Sequence, residues 1–188
     1  TANAPSAMPP NLFYMGDDTT LYYDSYDMKS DYGWEELVNL IKVINTDFEN
    51  IDSVLNVDRT LWAFAVNQVI ANLDCYNTYY VHNYYLYQTK DGLFQMIPWD
   101  LDNSFVGAIM GWDYWNPANV YEYDPYFTGP SLGGNTQPWD ERPLLYKLLD
   151  DPFYRKIYTA HLRTIINESL DASLITANIN QLQSLAAC

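Results

Sequence analysis

Cysteine is nearly absent: two in 188 residues, Cys75 and Cys188, too few for a disulfide framework. Basic side chains are scarce as well. Nine Lys and Arg stand against 24 Asp and Glu, a net charge of −15. A surface so poor in cations is a poor binder of nucleic acid or anionic lipid, since phosphate contacts need clustered Lys and Arg. Its acidic field suits metal cations or basic peptides instead. No apolar run approaches the roughly 20 residues of a membrane span. With only two His, neither having a partner at ligand spacing, a zinc site is not expected. No Asp-x-Asp-x-Asp-Gly loop of the calcium-binding kind occurs. There is no internal repeat.

What is present is an apolar fraction of 48%, enough for a packed core, and 18 Tyr with 6 Trp. The length fits one domain or one large lobe. The opening Thr1-Ala-Asn-Ala-Pro-Ser reads as a processed or excised end, and residues 1–11 as a linker. Leu12-Phe-Tyr-Met15 is predicted as a short strand, stopped at Gly16, and Leu21-Tyr-Tyr23 as a second. Apolar residues at 34, 37, 38, 41 and 44 have helical spacing, with Asp31 or Gly33 as the cap. The strongest helix runs from Asp58, read as its N-cap, to Leu73, with an apolar stripe wide enough for burial on most of its circumference.

Asn83-Tyr-Tyr-Leu-Tyr87 and Leu93-Phe-Gln-Met-Ile97, joined through Lys90-Asp-Gly92, predict a hairpin that Pro98 ends. Residues 103–141 form a long aromatic loop with Trp112, Trp115 and Trp139, and loops of that length are usually functional. Helices are expected over Pro143–Leu149, from Pro152 (a helix-opening proline) to about Leu170, and over Ala172–Ala187. The fold class is mainly α with a small β-hairpin (α+β).

The chemistry lies between Asn72 and Asp102. A buried helix delivers Asp74 into a short loop that ends in Asn83 at the mouth of the hairpin, whose second strand delivers Asp100. Two carboxylates and an amide oxygen are expected to converge at one open site. Mg²⁺ takes hard oxygen ligands of this kind, with phosphate and water completing its shell. A second Asp held off the metal can take the proton of an attacking hydroxyl. An Asp, an Asn, a hairpin and another Asp is also the order of parts in a protein-kinase catalytic loop and its metal-binding Asp. The usual spacing between the first two is about five residues, whereas Asp74 and Asn83 are nine apart, and Asn77 competes for the role of Asn83. His82 reads as a residue packing the loop before it reads as a general base, Cys75 as a buried inert thiol, and the Asp17 to Asp31 run as a solvated face before a cation site.

Asn-Leu-Asp-x-Tyr, His-Asn-Tyr-Tyr-Leu-Tyr and Ile-Pro-Trp-Asp-Leu-Asp-Asn-Ser-Phe together resemble the spore coat protein H (CotH) kinase family. The resemblance runs over roughly residues 12–165 and includes Pro143-Leu-Leu-Tyr-Lys-Leu-Leu and the Asp-Pro-Phe-Tyr-Arg that follows. It implies a divergent, secreted or surface-associated kinase-like fold, with Mg²⁺ and ATP as cofactors and Ser/Thr hydroxyls of coat or extracellular proteins as acceptors. It implies Asp74 as the catalytic base, Asp100 as the metal-binding Asp and Asn83 as the second ligand to metal and nucleotide. Asp102 and Asn103 belong to the same motif, and Asp102 reads equally as a further metal ligand or a solvated turn carboxylate. The chain departs from the kinase pattern in having no Gly-rich phosphate loop, and none of its five lysines sits on a strand followed by a suitable helix Glu. Residues 12–188 are therefore expected to be a C-terminal lobe, completed by an N-lobe or a second polypeptide of the same precursor. The contrasting expectation is an inactive surface or spore-coat protein that binds partners through the aromatic loop at 107–139.

Overall fold

The computed structural model describes residues 9–72, 74–78, 81–105, 124–127 and 142–186. Five α-helices are present among them: α1 Trp34–Thr46, α2 Val57–Val69, α3 Pro143–Asp150, α4 Pro152–Glu168 and α5 Ala172–Ala186. One antiparallel hairpin, β1 Tyr84–Gln88 with β2 Phe94–Pro98, lies between α2 and α3. The mainly α reading with one small hairpin holds. The aromatic loop expected at 103–141 lies outside the described residues except at 103–105 and 124–127.

Helix α2 is the axis of the core. Leu61, Phe64 and Ala65 are fully buried, and Thr60, Ala63 and Asn67 are buried around the rest of its circumference. It packs against α4 and β2. Its N-cap is Asn56 rather than Asp58: the Asn56 side chain accepts from Arg59 N at 3.0 Å, satisfying one of the free N–H groups of the first turn. Asp58 sits two residues later, in the first turn, and is paired with His161 of α4 at 2.8 Å, and His161 stacks on Trp62. Pro152 opens α4 as expected, with Asp151 accepting from Phe153 N at 2.7 Å.

Neither of the two short strands expected near the start is formed. Residues 19–22 make a single 3-10 turn, Thr19–Tyr22. Residues 12–15 have no neighbouring strand among the described residues, and Leu12 has left-handed backbone, φ 63°; tyrosine and asparagine side chains take the place of a strand. Leu12 N donates to Tyr26 Oη at 3.0 Å and Met15 N to Tyr22 Oη at 2.9 Å. Tyr22 Oη in turn donates to Gly16 O at 3.0 Å, Tyr76 Oη to Asn11 O at 3.1 Å, and Tyr84 Oη to Pro10 O. Asn45 Nδ2 donates to Leu12 O at 2.8 Å. The exchange satisfies backbone groups that burial would otherwise leave costly. It also packs Pro10, Asn11 and Leu12 into the protein, so the last residues of the segment read as a linker are buried.

Lys147 of α3 closes the other end of α1. Its Nζ donates to Ile44 O at 2.7 Å and Asn45 O at 2.8 Å, and it stands 5.5 Å from the centre of the Phe48 ring. A cation there meets the negative end of the helix dipole, although desolvation pulls its pKa below the usual lysine value. Replacing Lys147 by Met keeps the stem and removes both hydrogen bonds. The expected loss is about 2 kcal/mol, or roughly 4–8 °C in melting temperature for a chain of this size, read by calorimetry. An unchanged melting temperature would show that water replaces the ammonium at no cost.

Candidate functional site

Two anchors set the hairpin. Phe94 N donates to Val54 O at 2.8 Å and Asn56 N to Phe94 O at 2.9 Å, which ties β2 to the segment leading into α2. At the opposite end Tyr84 pairs with Pro98, and Trp99 N donates to Asn83 O at 3.0 Å. Asn83 and Asp100 therefore leave the hairpin side by side at its open end. Both have left-handed backbone, φ 54° and 52°, a conformation that Asn and Asp tolerate better than other residues with a Cβ. Ala71 and Phe105 have the same sign of φ, so four of the five such non-glycine residues described surround this region. Held strain of this kind concentrates at functional sites.

The loop carrying Asp74 is built on buried amides. Asn67 of α2 donates to Asn77 Oδ1 at 3.2 Å, and Asn72 donates to Asn67 Oδ1 at 3.3 Å. Asn77 Nδ2 donates to Phe64 O at 3.2 Å, and Thr78 Oγ1 to Asn72 O at 2.7 Å. Asn72 Oδ1 accepts from Asp74 N at 3.2 Å, fixing the carboxylate's own backbone. Asn77 is thereby committed to the loop's interior, whereas Asn83 is the asparagine bonded to Asp74. The Arg142 guanidinium, fully buried, closes the loop by donating to Thr78 O at a short distance.

Cys75 is buried in this network as expected, and burial pushes its thiol pKa up to about 11. The thiolate is the reactive form. In a Cys188→Ser variant, Cys75 is expected to resist iodoacetamide in the folded protein at pH 8 and to react fully in urea. Stoichiometric labelling of the native protein would contradict its burial.

Asp74 is 5% exposed and receives two amides on one oxygen. Asn83 Nδ2 donates to Oδ2 at 2.8 Å, and Asn103 Nδ2 donates to the same atom at 3.1 Å. The other oxygen, Oδ1, is buried 2.8 Å from His82 Nε2 and has no aligned hydrogen bond among the described residues. His82 thus stands against the candidate base and covers it, where the sequence favoured loop packing over a general-base role. Asn103 reaches Asp74 because Asp100 turns the chain into a 3-10 turn, Leu101–Asn103, and Phe105 N then donates to Ile70 O at 2.6 Å beside the end of α2. Residue periodicity gives no sign of either contact.

Asp100 is exposed, and its pKa is raised above the usual carboxylate value. Desolvation is the leading cause. Asp102 adds to it by charge and by hydrogen bonding, Asp74 adds by charge, and His82 opposes. Asp100 therefore feels the charges of both Asp102 and Asp74 at the open end of the hairpin. Among the described residues no three His, Cys, Asp or Glu side chains are placed to hold a metal by themselves. The set nevertheless fits Mg²⁺, which typically takes one or two carboxylates and leaves its remaining positions to phosphate and water.

The described residues are mainly helical, with Asn83 and Asp100 at the open end of one hairpin and Asp74 bonded to Asn83. The family model described as CotH kinase protein matches residues 14–187, nearly the whole chain, and the chain belongs to that family. No curated protein matches it. No helix among the described residues is long and apolar enough to cross a membrane.

Proposed function

We propose that this chain is the C-terminal lobe of a kinase-like phosphotransferase, which moves the terminal phosphoryl group of ATP to Ser or Thr hydroxyls of secreted or coat proteins at the cell or spore surface. The observation that carries the reading is the joining of Asp74 to Asn83 by a 2.8 Å hydrogen bond beside Asp100. Asp100 and the amide oxygen of Asn83 would hold Mg²⁺, with Asp102 next to them. Bound Mg²⁺ and ATP would supply the phosphoryl group and offset the carboxylates' mutual repulsion. Asn83 serves twice, since its Nδ2 orients Asp74 while its Oδ1 stays available to a cation. Asp74 Oδ1, the oxygen without an aligned donor, takes the proton of the acceptor hydroxyl once the His82 ring turns aside. Phosphoryl transfer asks little more of a protein than this positioning and charge compensation.

Cations for the nucleotide phosphates would come from an N-lobe or a second polypeptide. Lys29 is paired with Asp27, Lys42 with Asp17, and Lys147 with the end of α1. Lys90 lies in the turn at the far end of the hairpin from Asp100. The test is transfer of labelled phosphate from ATP to a Ser/Thr-rich acceptor by the chain joined to its N-lobe, with and without Mg²⁺. Metal-dependent transfer that an Asp100→Ala variant loses is the expected result. Its absence with Mg²⁺ and with Mn²⁺ would overturn the proposal.

A further inference from the structure

Asn103 lies three residues beyond Asp100, yet it bonds to a carboxylate 29 positions earlier. Its Nδ2 shares Asp74 Oδ2 with Asn83, and its own Oδ1 is buried without a hydrogen bond among the described residues. A side chain that leaves a buried carbonyl oxygen unsatisfied in order to place its N–H₂ on a carboxylate is held there at a cost. The segment around it is pinned twice: Ser104 N donates to Leu101 O at 3.1 Å, and Phe105 N donates to Ile70 O at 2.6 Å with Phe105 at φ 56°. Two separate pieces of chain, the loop after α2 and the turn after β2, meet through this one side chain. Each carries one of the two carboxylates that the proposed chemistry needs.

We infer that Asn103 is a positioning residue that locks the Asp74 carboxylate to the Asp100 turn. Resting on the phosphotransfer reading above, this assigns the two oxygens of Asp74 different duties. Oδ2 is saturated by the amides of Asn83 and Asn103 and fixes the rotation of the carboxylate. Oδ1 is left as the oxygen that meets a hydroxyl. Without Asn103, Asp74 Oδ2 would keep only the Asn83 amide, and small misplacements of a catalytic group are costly.

The test compares Asn103→Ala with Asn103→Asp in the chain joined to its N-lobe. The Asp variant keeps the volume but turns the donor into a repelling acceptor. If Asn103 only filled space, it would be the milder change. Positioning predicts the reverse: kcat falls roughly 10–100-fold in the Ala variant and further in the Asp variant, with KM for Mg-ATP little changed. Equal kcat in the Asp variant and wild type, with Asp74→Asn inactive, would overturn the inference and leave the phosphotransfer reading standing. A second readout needs no turnover. In the chain alone, the Asn103 side-chain amide resonances are expected to move and to exchange faster with water in Asp74→Ala than in the unsubstituted protein. Unmoved resonances would show that the bond is not made in solution, whatever the assay reports. A protein that transfers no phosphate but shows the shift would lose the phosphotransfer reading and with it the catalytic role assigned here.

Discussion

If the phosphotransfer proposed above holds, transfer by the chain completed with the proposed N-lobe is expected to fall about 100- to 10,000-fold in Asp74→Asn, the range typical of losing a general base. The substitution is nearly isosteric. A carbonyl oxygen at the position of Oδ2 can still accept from Asn83 and Asn103, and the backbone bond from Asp74 N to Asn72 Oδ1 is untouched. What is lost is the ability of Oδ1 to take a proton. The loss should fall on kcat, since Asp74 touches neither Asn83 Oδ1 nor the exposed Asp100 through a bond that nucleotide binding needs. Far-UV circular dichroism and melting temperature should stay close to those of the unsubstituted protein. A kcat within threefold of that value would remove Asp74 from the chemistry. Asp100→Ala is expected to act differently, by abolishing the metal-dependent transfer through loss of the proposed Mg²⁺ ligand.

The second large effect is on stability at high pH. Tyr76 and Tyr84 are 1% and 5% exposed, and burial is the main cause that raises both phenols above the ordinary tyrosine pKa. Tyr84 is raised further by the charges that Tyr26 and Tyr76 would carry. Cys75 is raised to about 11 in the same way. A group whose folded pKa lies above its unfolded value contributes its stability in full below the unfolded pKa. That contribution is lost as pH rises toward the folded value. The window therefore opens near pH 9, where an unfolded thiol ionises, and widens past pH 10, where unfolded phenols do. At pH 11 each phenol still neutral in the folded protein costs about 1.4 kcal/mol, and Cys75 about 2 kcal/mol, so the three together cost roughly 5 kcal/mol. That is comparable to the whole stability of many domains. Urea unfolding followed by tryptophan fluorescence should show a midpoint steady from pH 7 to 9 and collapsing by pH 11. The share of tyrosinate absorbance that comes from the buried phenols should appear together with unfolding. A midpoint at pH 11 equal to that at pH 8 would mean these hydroxyls ionise without leaving the core. Their bonds to Asn11 O and Pro10 O would then have to break without consequence.

The tyrosine cluster also shows where sequence reading stopped. Leu12-Phe-Tyr-Met and Leu21-Tyr-Tyr are apolar runs that local pattern assigns to strands. A strand needs a neighbour, and here the hydroxyls of Tyr22 and Tyr26 supply the donors and acceptors that a neighbour would have supplied. These contacts join residues 6 to 14 apart along a turn that no periodicity describes. The cap of α2 was misplaced for a similar reason. Asn56 and Asp58 are both good capping residues, and only the backbone geometry before Val57 selects between them.

Sequence alone was sufficient for the elements with a repeating pattern: the helices α1 to α5 and a hairpin turning at Gly92, where φ is 88°. It was sufficient too for the placing of Asp74, Asn83 and Asp100 in one short stretch, because a hairpin of known turn must return its two ends to the same place. Tertiary structure alone decided which asparagine meets Asp74, that Asn103 joins it, and that His82 covers its second oxygen. Those contacts depend on how the loop after α2 and the turn after β2 lie against each other, and that is settled by buried amides finding partners across the fold rather than by any spacing along the chain.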